Sequence, residues 1–375
     1  MAKLTDISLA PSVTLNSLIH IVNTSDISQD PAGSSYKTPL SSLSPLFGGT
    51  VTTYWSASTG TNAIVLKYSN SIANGTLAIG EGYQTTANGN YSHSEGNTTK
   101  AIGTSSHSEG YQTSALGNLG SHSEGANTTA NGESSHAEGL STTASGDYGS
   151  HAEGWSTIAS DDAAHAEGYN TLASGRASHA EGSGTTATGT ASHSEGYITT
   201  ATGEASHSEG RSTISIGDYS HAEGLQTTAG GQGSHAEGFN TTASGGISHA
   251  EGNGTTAQGN YSHSEGYETT AIGNNSHAEG SNTTAIGSAS HAGGFNSSAS
   301  GTASFVHGNS STATNGAIVL GSLLTGTINN VVYVNKIAVV NLPSYVNDAA
   351  ADADATLPSG GLYKLNSGRA VYEKP

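Results

Sequence analysis

A fourteen-residue unit, Ser-His-Ala/Ser-Glu-Gly-x-x-Thr-Thr-Ala-x-Gly-x-x, recurs through the middle of the chain and constrains its fold more than any other feature. Histidines mark the register at intervals of fourteen residues, with two intervals of fifteen where Gly120 and Gly149 add one residue before Ser-His. Repetition at a fixed short period is typical of solenoids, in which each coil packs only against its neighbours. The sequence therefore predicts a β-solenoid.

Each unit divides into two halves, because glycine recurs every seven residues. Glycine this frequent excludes helix, so each half is predicted to be a short strand followed by a glycine turn. Side chains alternate across a strand, so the nearly constant first Thr and the Ala of the second half are predicted to point inward. The second Thr slot also accepts Lys100, Ile158, Leu172 and Ile214, and is predicted to face solvent. In the first half both faces are restricted, which predicts a strand that is covered on both sides.

The composition fits this architecture and excludes several functions. Only 33% of the residues are hydrophobic, which is too few for a large apolar core but enough for stacked coils with small side chains. Ten Lys and Arg stand against 29 Asp and Glu, which argues against nucleic acid or an anionic membrane as a partner. Cysteine is absent, and the sequence predicts neither a secretion signal nor a membrane span.

Three short segments that end in Ala-Ile-Gly suggest a family. The segments are Leu77-Ala78-Ile79-Gly80, Thr270-Ala271-Ile272-Gly273 and Thr284-Ala285-Ile286-Gly287. The repeat thereby resembles the heads of trimeric autotransporter adhesins (YadA-like), over about residues 63–322. The resemblance implies a left-handed parallel β-roll of three chains, in which the Val/Ile slots face the threefold axis. This chain departs from that pattern by placing His and Glu at those slots.

The ends of the chain resemble bacteriophage virion and tail-fibre proteins, in the segments beginning at Leu18 and Leu357. The predicted organisation is an N-terminal attachment module at 1–48, a lead-in at 49–75, a rod at 76–322 and a C-terminal β module at 323–375. The apolar segments that begin at Ala63 and Ala317 are predicted to form capping coils, since solenoids must close their ends. About seventeen coils at about 4.8 Å predict a rod near 80 Å.

The His and Glu positions are predicted to form a ladder along the trimer axis. Stacked carboxylates about 4.8 Å apart would repel by roughly 3 to 4 kcal/mol, so we hypothesise that protonated or donating imidazoles offset the charge, and that the trimer would then weaken at alkaline pH. The ladder residues are His93, Glu95, His107, Glu109, His122, Glu124, His136, Glu138, His151, Glu153, His165, Glu167, His179, Glu181, His193, Glu195, His207, Glu209, His221, Glu223, His235, Glu237, His249, Glu251, His263, Glu265, His277, Glu279 and His291.

Two chemical interpretations compete with the ladder. His-x-Glu from three chains could surround an axial ion, but the spacing matches no zinc signature, so the sequence predicts no metal and no cofactor. Ser and His of one unit point to opposite faces, which argues against a hydrolase. Asp348, Asp352 and Asp354 form an acidic cluster that we interpret as solvated linker charges. No enzymatic activity and no catalytic residue are predicted.

One slot predicts a surface for binding. The position after the first-half glycine is often aromatic, and such rows stack on sugars or pack against a neighbouring protomer, of which we favour packing. The aromatic residues in this slot are Tyr83, Tyr111, Trp155, Tyr169, Tyr197, Phe239, Tyr267 and Phe295.

These features predict a trimeric bacteriophage tail or head fibre that projects from the virion and contacts the host cell surface. The predicted partners are the chain itself as a homotrimer, other virion proteins through the N-terminal module, and a host-surface glycan or protein. The alternative is an extracellular filament-forming or adhesive protein that polymerises through its terminal modules. Discrete rods favour the first interpretation and continuous filaments the second.

Overall fold

The computed structural model describes residues 55–66 and 69–336, and three short strands closer to the C terminus. All regular elements within these residues are β-strands, and they form a parallel solenoid of about 19 coils. The predicted all-β fold class is therefore confirmed. The predicted attachment module at 1–48 and the cluster of Asp348, Asp352 and Asp354 lie outside the described residues.

The first strand of each coil contributes to a 21-stranded sheet, which we call the His/Glu sheet. Its strands are Trp55–Ala57, Ile64–Leu66, Ile79–Tyr83, His93–Asn97, His107–Tyr111, His122–Ser123, His136–Leu140, His151–Trp155, His165–Tyr169, His179–Ser183, His193–Tyr197, His207–Arg211, His221–Leu225, His235–Phe239, His249–Asn253, His263–Tyr267, His277–Ala278, His291–Phe295, Phe305–Asn309, Ile318–Ser322 and Val332–Val334.

The second strand of each coil contributes to the Thr/Ala sheet, whose strands are two residues long. They are Ile72–Ala73, Thr86–Ala87, Lys100–Ala101, Ser114–Ala115, Thr129–Ala130, Thr143–Ala144, Ile158–Ala159, Leu172–Ala173, Thr186–Ala187, Thr200–Ala201, Ile214–Ser215, Thr228–Ala229, Thr242–Ala243, Thr256–Ala257, Thr270–Ala271, Thr284–Ala285, Ser298–Ala299, Thr312–Ala313 and Thr325–Gly326.

Both sheets hold the register of the repeat, so equivalent residues of successive coils lie side by side. His193 pairs with His207, and Thr186 pairs with Thr200. The two fifteen-residue intervals leave the register intact, because His107 pairs with His122 and His136 with His151. The extra Gly120 and Gly149 have φ values of 86° and 80°, as expected for residues bulged out of a turn.

The solenoid ladder extends beyond the limits predicted for the rod. Ile64–Leu66 pairs with Ile79–Tyr83 in parallel, and on its other side Trp55–Ala57 pairs with it antiparallel. The antiparallel strand ends the parallel stack at the N-terminal side. At the other end Ile318–Ser322 is followed by Val332–Val334, so it is not the last strand of the sheet. The domain limits themselves stay predictions.

The interior between the two sheets is filled by small side chains, as predicted from the constant slots. Thr199 and Ala201 are fully buried, and the hydroxyl of Thr199 lies 2.8 Å from that of Ser194 on the opposite sheet. Coils with Ala in the Ser slot lack this bond, and the buried hydroxyl of Thr185, opposite Ala180, has no hydrogen-bond partner among the described residues. Hydroxyl pairs and methyl contacts thus take the place of a large apolar core.

The turns use left-handed backbone at positions that carry side chains, which the glycine pattern did not reveal. The last residue of each half has positive φ, for example Asn127 at 56°, Ile198 at 55° and Tyr219 at 58°. Asn tolerates this region well, whereas β-branched Ile does so at a cost in strain. The frequent Asn in these slots was the available sequence signal.

Three strands near the C terminus form a separate small sheet. Ser344–Tyr345 pairs in parallel with Leu362–Leu365, which pairs antiparallel with Val371–Glu373. They lie in the segment predicted as a C-terminal β module.

Candidate interface on the outer face of the His/Glu sheet

Three parallel files of side chains cover the outer face of the His/Glu sheet. Residues at alternate positions of one strand share a face, so His, Glu and the following aromatic slot all point outward, while the Ser or Ala between His and Glu points inward. In the strand His193–Tyr197 the inward Ser194 is fully buried, whereas His193 and Glu195 are partly exposed. We call these rows the His file, the Glu file and the aromatic file.

The His file is a continuous stack of imidazole rings. Successive rings from His93 to His277 lie 4.7–4.9 Å apart, with interplanar angles of 19° or less. The stack ends with His291, whose ring is turned by 74° from that of His277 and packs on Phe305 with centroids 4.6 Å apart. The strand spacing of the solenoid sets this separation, which only parallel, in-register coils produce.

Each imidazole lies between carboxylates of two coils. Nε2 of His93 is 3.5 Å from Oε1 of Glu81 in the preceding coil and 3.8 Å from Oε2 of Glu95 in its own coil. Most coils repeat one or both contacts at 3.2–4.0 Å, with about a third of each side chain exposed. The structure therefore brings the predicted His and Glu residues together within one chain. Their place at a trimer axis stays a prediction.

The glutamates also interact with one another, which changes their protonation. Hydrogen bonds to the glutamates of the adjacent coils, with burial, raise the pKa of Glu95 and of Glu237 to about 7. The pKa values of Glu109, Glu223 and Glu251 are lowered, chiefly because their carboxylates accept hydrogen bonds from neighbouring glutamates. Raised and lowered pKa values thus alternate between Glu95 and Glu109 and along Glu223, Glu237 and Glu251, and the sharing of protons between such neighbours relieves part of the repulsion that the sequence predicts for the column.

The histidines shift in the direction that disfavours protonation. Burial, followed by the repulsion of neighbouring imidazoles, lowers the pKa of His107, His136, His165, His193, His221, His235, His249 and His291. This direction is opposite to the one that a protonated His file requires. Proton sharing among the glutamates, rather than charged imidazoles, is what this geometry offers.

We expect the melting temperature to rise between pH 5 and pH 8 and to stay level from pH 8 to pH 9. Histidines with a lowered pKa bind fewer protons in the folded chain than in the unfolded chain. Their contribution to the stability of the fold is therefore lost as the pH falls below 6.5. Glu95 and Glu237 act oppositely, because their raised pKa makes stability fall as the pH rises from 4.5 to about 7. The shifted histidines outnumber these glutamates, so the rise should prevail.

Circular dichroism at each pH checks this expectation. A variant with His193→Phe, His207→Phe and His221→Phe, chosen to imitate the stacked Phe305, should show a shallower rise. A melting temperature that falls between pH 7 and pH 9 would instead support a ladder held by protonated imidazoles.

The aromatic file lies where the sequence predicts it, along one edge of the same face. Its members are about half exposed, and some contact each other: Trp155 meets Tyr169 edge-on at 5.2 Å, and the guanidinium of Arg211 lies 5.6 Å from the ring centroid of Tyr197. Ser183 interrupts the file between Tyr169 and Tyr197. The partner of the aromatic file, a sugar or a neighbouring protomer, stays a prediction.

A shallow groove runs along the Glu file, over the glycines that follow each glutamate. One part of about 610 Å³ is lined by glutamate and glycine from Glu209 to Gly266, and a second part extends the lining back to Glu167. The sequence shows the residues of this groove, but their alignment into one channel depends on the stacking of coils.

A second exposed row was missed by the sequence analysis. It occupies the left-handed position at the end of the second half of each coil and includes Tyr91, Tyr148, Tyr219, Ile247 and Tyr261. Because Ser, Ala and Asn alternate with these residues in the same slot, the row does not stand out as a pattern.

Comparison with known families agrees with this geometry. The family model described as YadA head domain repeat matches residues 123–148, 166–192, 208–234, 236–262 and 264–290. No curated protein matches the chain. In the described residues there is no helix that could span a membrane. Several coils of the β-solenoid therefore match the YadA head domain repeat, which indicates an adhesin-like fibre.

Proposed function

We propose that the chain forms a homotrimeric tail or head fibre of a bacteriophage, which projects from the virion and contacts the surface of the host cell. The YadA head domain repeats support an adhesive fibre, and the terminal segments that resemble virion proteins support the phage context. In this proposal the chain has no enzymatic role, and residues 1–48 attach it to other virion proteins.

The observation that best supports a trimer is the apolar character of both ends of the outer face of the His/Glu sheet. The His file continues into Ile64 and Ile79 at one end and into Phe305 and Ile318 at the other. Ile318 is 37% exposed, and Leu320 in the Glu slot is 44% exposed. Contiguous apolar residues on a sheet face mark surfaces that another molecule covers.

A second and third copy of the same face are the partners that fit best. A face that repeats the same three files along its length presents the same residues at every level, so identical chains in register match coil by coil around a symmetry axis. The partly exposed imidazoles and carboxylates then lie opposite equivalent groups, and the apolar ends cover one another.

We expect the purified chain to have three times its 37.3 kDa mass in solution, and the double variant Ile318→Asp with Leu320→Asp to lose trimer. Carboxylates placed on a covered apolar face lose hydration without gaining a partner, which costs several kcal/mol. Sedimentation equilibrium measures the mass directly.

The matched control is the double variant Ile272→Asp with Ile286→Asp. These residues are 40% and 44% exposed but follow the strands of the Thr/Ala sheet, away from the proposed interface. The control should stay trimeric. A monomeric wild type, or equal loss of trimer in both variants, would rule out the proposed interface.

Electron microscopy of the purified chain tests the fibre. About 19 coils at about 4.8 Å give a rod near 90 Å, so discrete rods of this length are expected. Continuous filaments would favour polymerisation through the terminal segments instead. Immunogold labelling tests the phage context, because the proposal expects the label on virions. The gene for the chain is also expected to lie beside genes for other virion proteins.

A further inference from the structure

The Nε2 atoms of the His file are buried without a conventional partner. Thirteen of them expose less than 1 Å² and have no hydrogen bond to any residue that the structure describes. The exceptions are His221 and His291, each 3.2 Å from a glutamate of the preceding coil. Buried polar atoms are nearly always satisfied, so a repeated orphan atom calls for a ligand.

The surroundings of these atoms have the dimensions of a metal site. Around Nε2 of His93, Oε1 of Glu81 lies at 3.5 Å and Oε2 of Glu95 at 3.8 Å, and the three ligand atoms all lie within 4.8 Å of one another. These separations are long for N–H···O bonds, whose usual length is about 2.9 Å. They are close to the roughly 3.4 Å between ligands of an ion with bonds of about 2.1 Å.

Other partners fit these atoms less well. An atom that exposes less than 1 Å² is out of reach for a water molecule or a side chain that approaches from outside. A small cation that enters between the three ligands does not meet this obstacle.

We propose that the His and Glu files bind divalent transition-metal ions of the zinc class. Each ion is held by Nε2 of one histidine, Oε1 of the glutamate in the coil before it and Oε2 of the glutamate in its own coil. Imidazole with carboxylate selects Zn²⁺, Co²⁺ or Ni²⁺ over Mg²⁺ and Ca²⁺, which prefer oxygen ligands alone. All three ligands come from one chain, so the site does not depend on the proposed trimer.

Charge sets the number of ions. Two glutamates neutralise one divalent ion, whereas ions in adjacent coils would repel each other with four times the energy of single charges at that distance. We therefore expect one ion for every two coils, which is about seven ions for the fifteen histidines of the file.

The ligand set explains why the sequence argued against a metal. Zinc signatures place two ligands within a few residues on one segment. Here only His93 and Glu95 are close in sequence, whereas the third ligand, Glu81, is twelve residues from His93 in another coil and is brought to it by the stacking.

Isothermal titration of Zn²⁺ into the full chain, freed of metal with a chelator, tests the proposal. About seven ions should bind with a dissociation constant of about 10 µM or below, and Mg²⁺ should not compete. Co²⁺ in the same protein should give the intense visible absorption of a four-coordinate site. Fewer than one ion per chain, or the weak spectrum of hydrated Co²⁺, would overturn the proposal.

Two matched triple variants separate ligation from general attraction by charge. The variant His193→Gln, His207→Gln and His221→Gln should bind one or two fewer ions, whereas Glu133→Gln, Glu204→Gln and Glu268→Gln removes exposed carboxylates outside the files and should bind the wild-type number. Equal ion numbers in both variants would contradict the proposed ligands. If the histidine variant does not fold, as judged by circular dichroism, the wild-type Co²⁺ spectrum decides.

Discussion

Replacement of Gly231 by alanine is expected to lower the free energy of unfolding by about 3 kcal/mol. The φ of Gly231 is not left-handed, so its backbone alone would accept alanine. The obstacle is the next coil, because a Cβ at Gly231 would lie 2.0 Å from the carbonyl oxygen of Gly245 and 2.5 Å from its carbonyl carbon. Those atoms belong to a backbone held in the ladder, and they cannot move without disturbing further coils. Urea denaturation followed by circular dichroism measures the loss.

The adjacent Gly230 provides the control. A Cβ at Gly230 has its nearest neighbour, the Cα of Ser244, at an ordinary 3.7 Å. Gly230→Ala should therefore be neutral or stabilise by about 0.5 kcal/mol, through the lower entropy of the unfolded chain. In another coil Asp161 occupies the repeat position of Gly231, so that coil accommodates a side chain at this position. Equal stability of the two alanine variants would show that the coils can separate at little cost.

Ala201→Leu should be the second most damaging substitution, with an expected loss of about 3 kcal/mol or more. Ala201 is fully buried between the two sheets. Leucine adds three carbon atoms to an interior whose width is set by short side chains, and the sheets of adjacent coils would have to part. Hydrogen exchange should then show faster exchange in the coils next to residue 201 than in distant coils.

Thr200→Leu introduces the same side chain one position earlier and serves as the control. Its side chain is on the outer face of the Thr/Ala sheet, in the slot that Leu172 occupies naturally. We expect a change within about 0.5 kcal/mol. If Thr200→Leu were as damaging as Ala201→Leu, the assignment of inner and outer faces would be wrong.

The candidate interface was predictable in its membership but not in its chemistry. The alternation of His, Ser or Ala, and Glu places His and Glu on one face of a strand. The protonation state was not predictable from the strand pattern. Glu95 interacts with glutamates fourteen residues away on each side, and those contacts raise its pKa to about 7. Reasoning from charge alone suggested protonated histidines, whereas the structure favours shared protons between carboxyl groups.

The period, the glycine spacing and the constant small residues determined the two-strand coil, the parallel register and the inward faces, because strand alternation and turn chemistry are local properties of the chain. Only the tertiary structure decided which turn residues take positive φ, such as Ile198, and how Nε2 of each histidine lies between carboxylates of two coils. These features depend on distances between residues twelve or fourteen positions apart, which exist only once the coils have stacked at the spacing of β-strands.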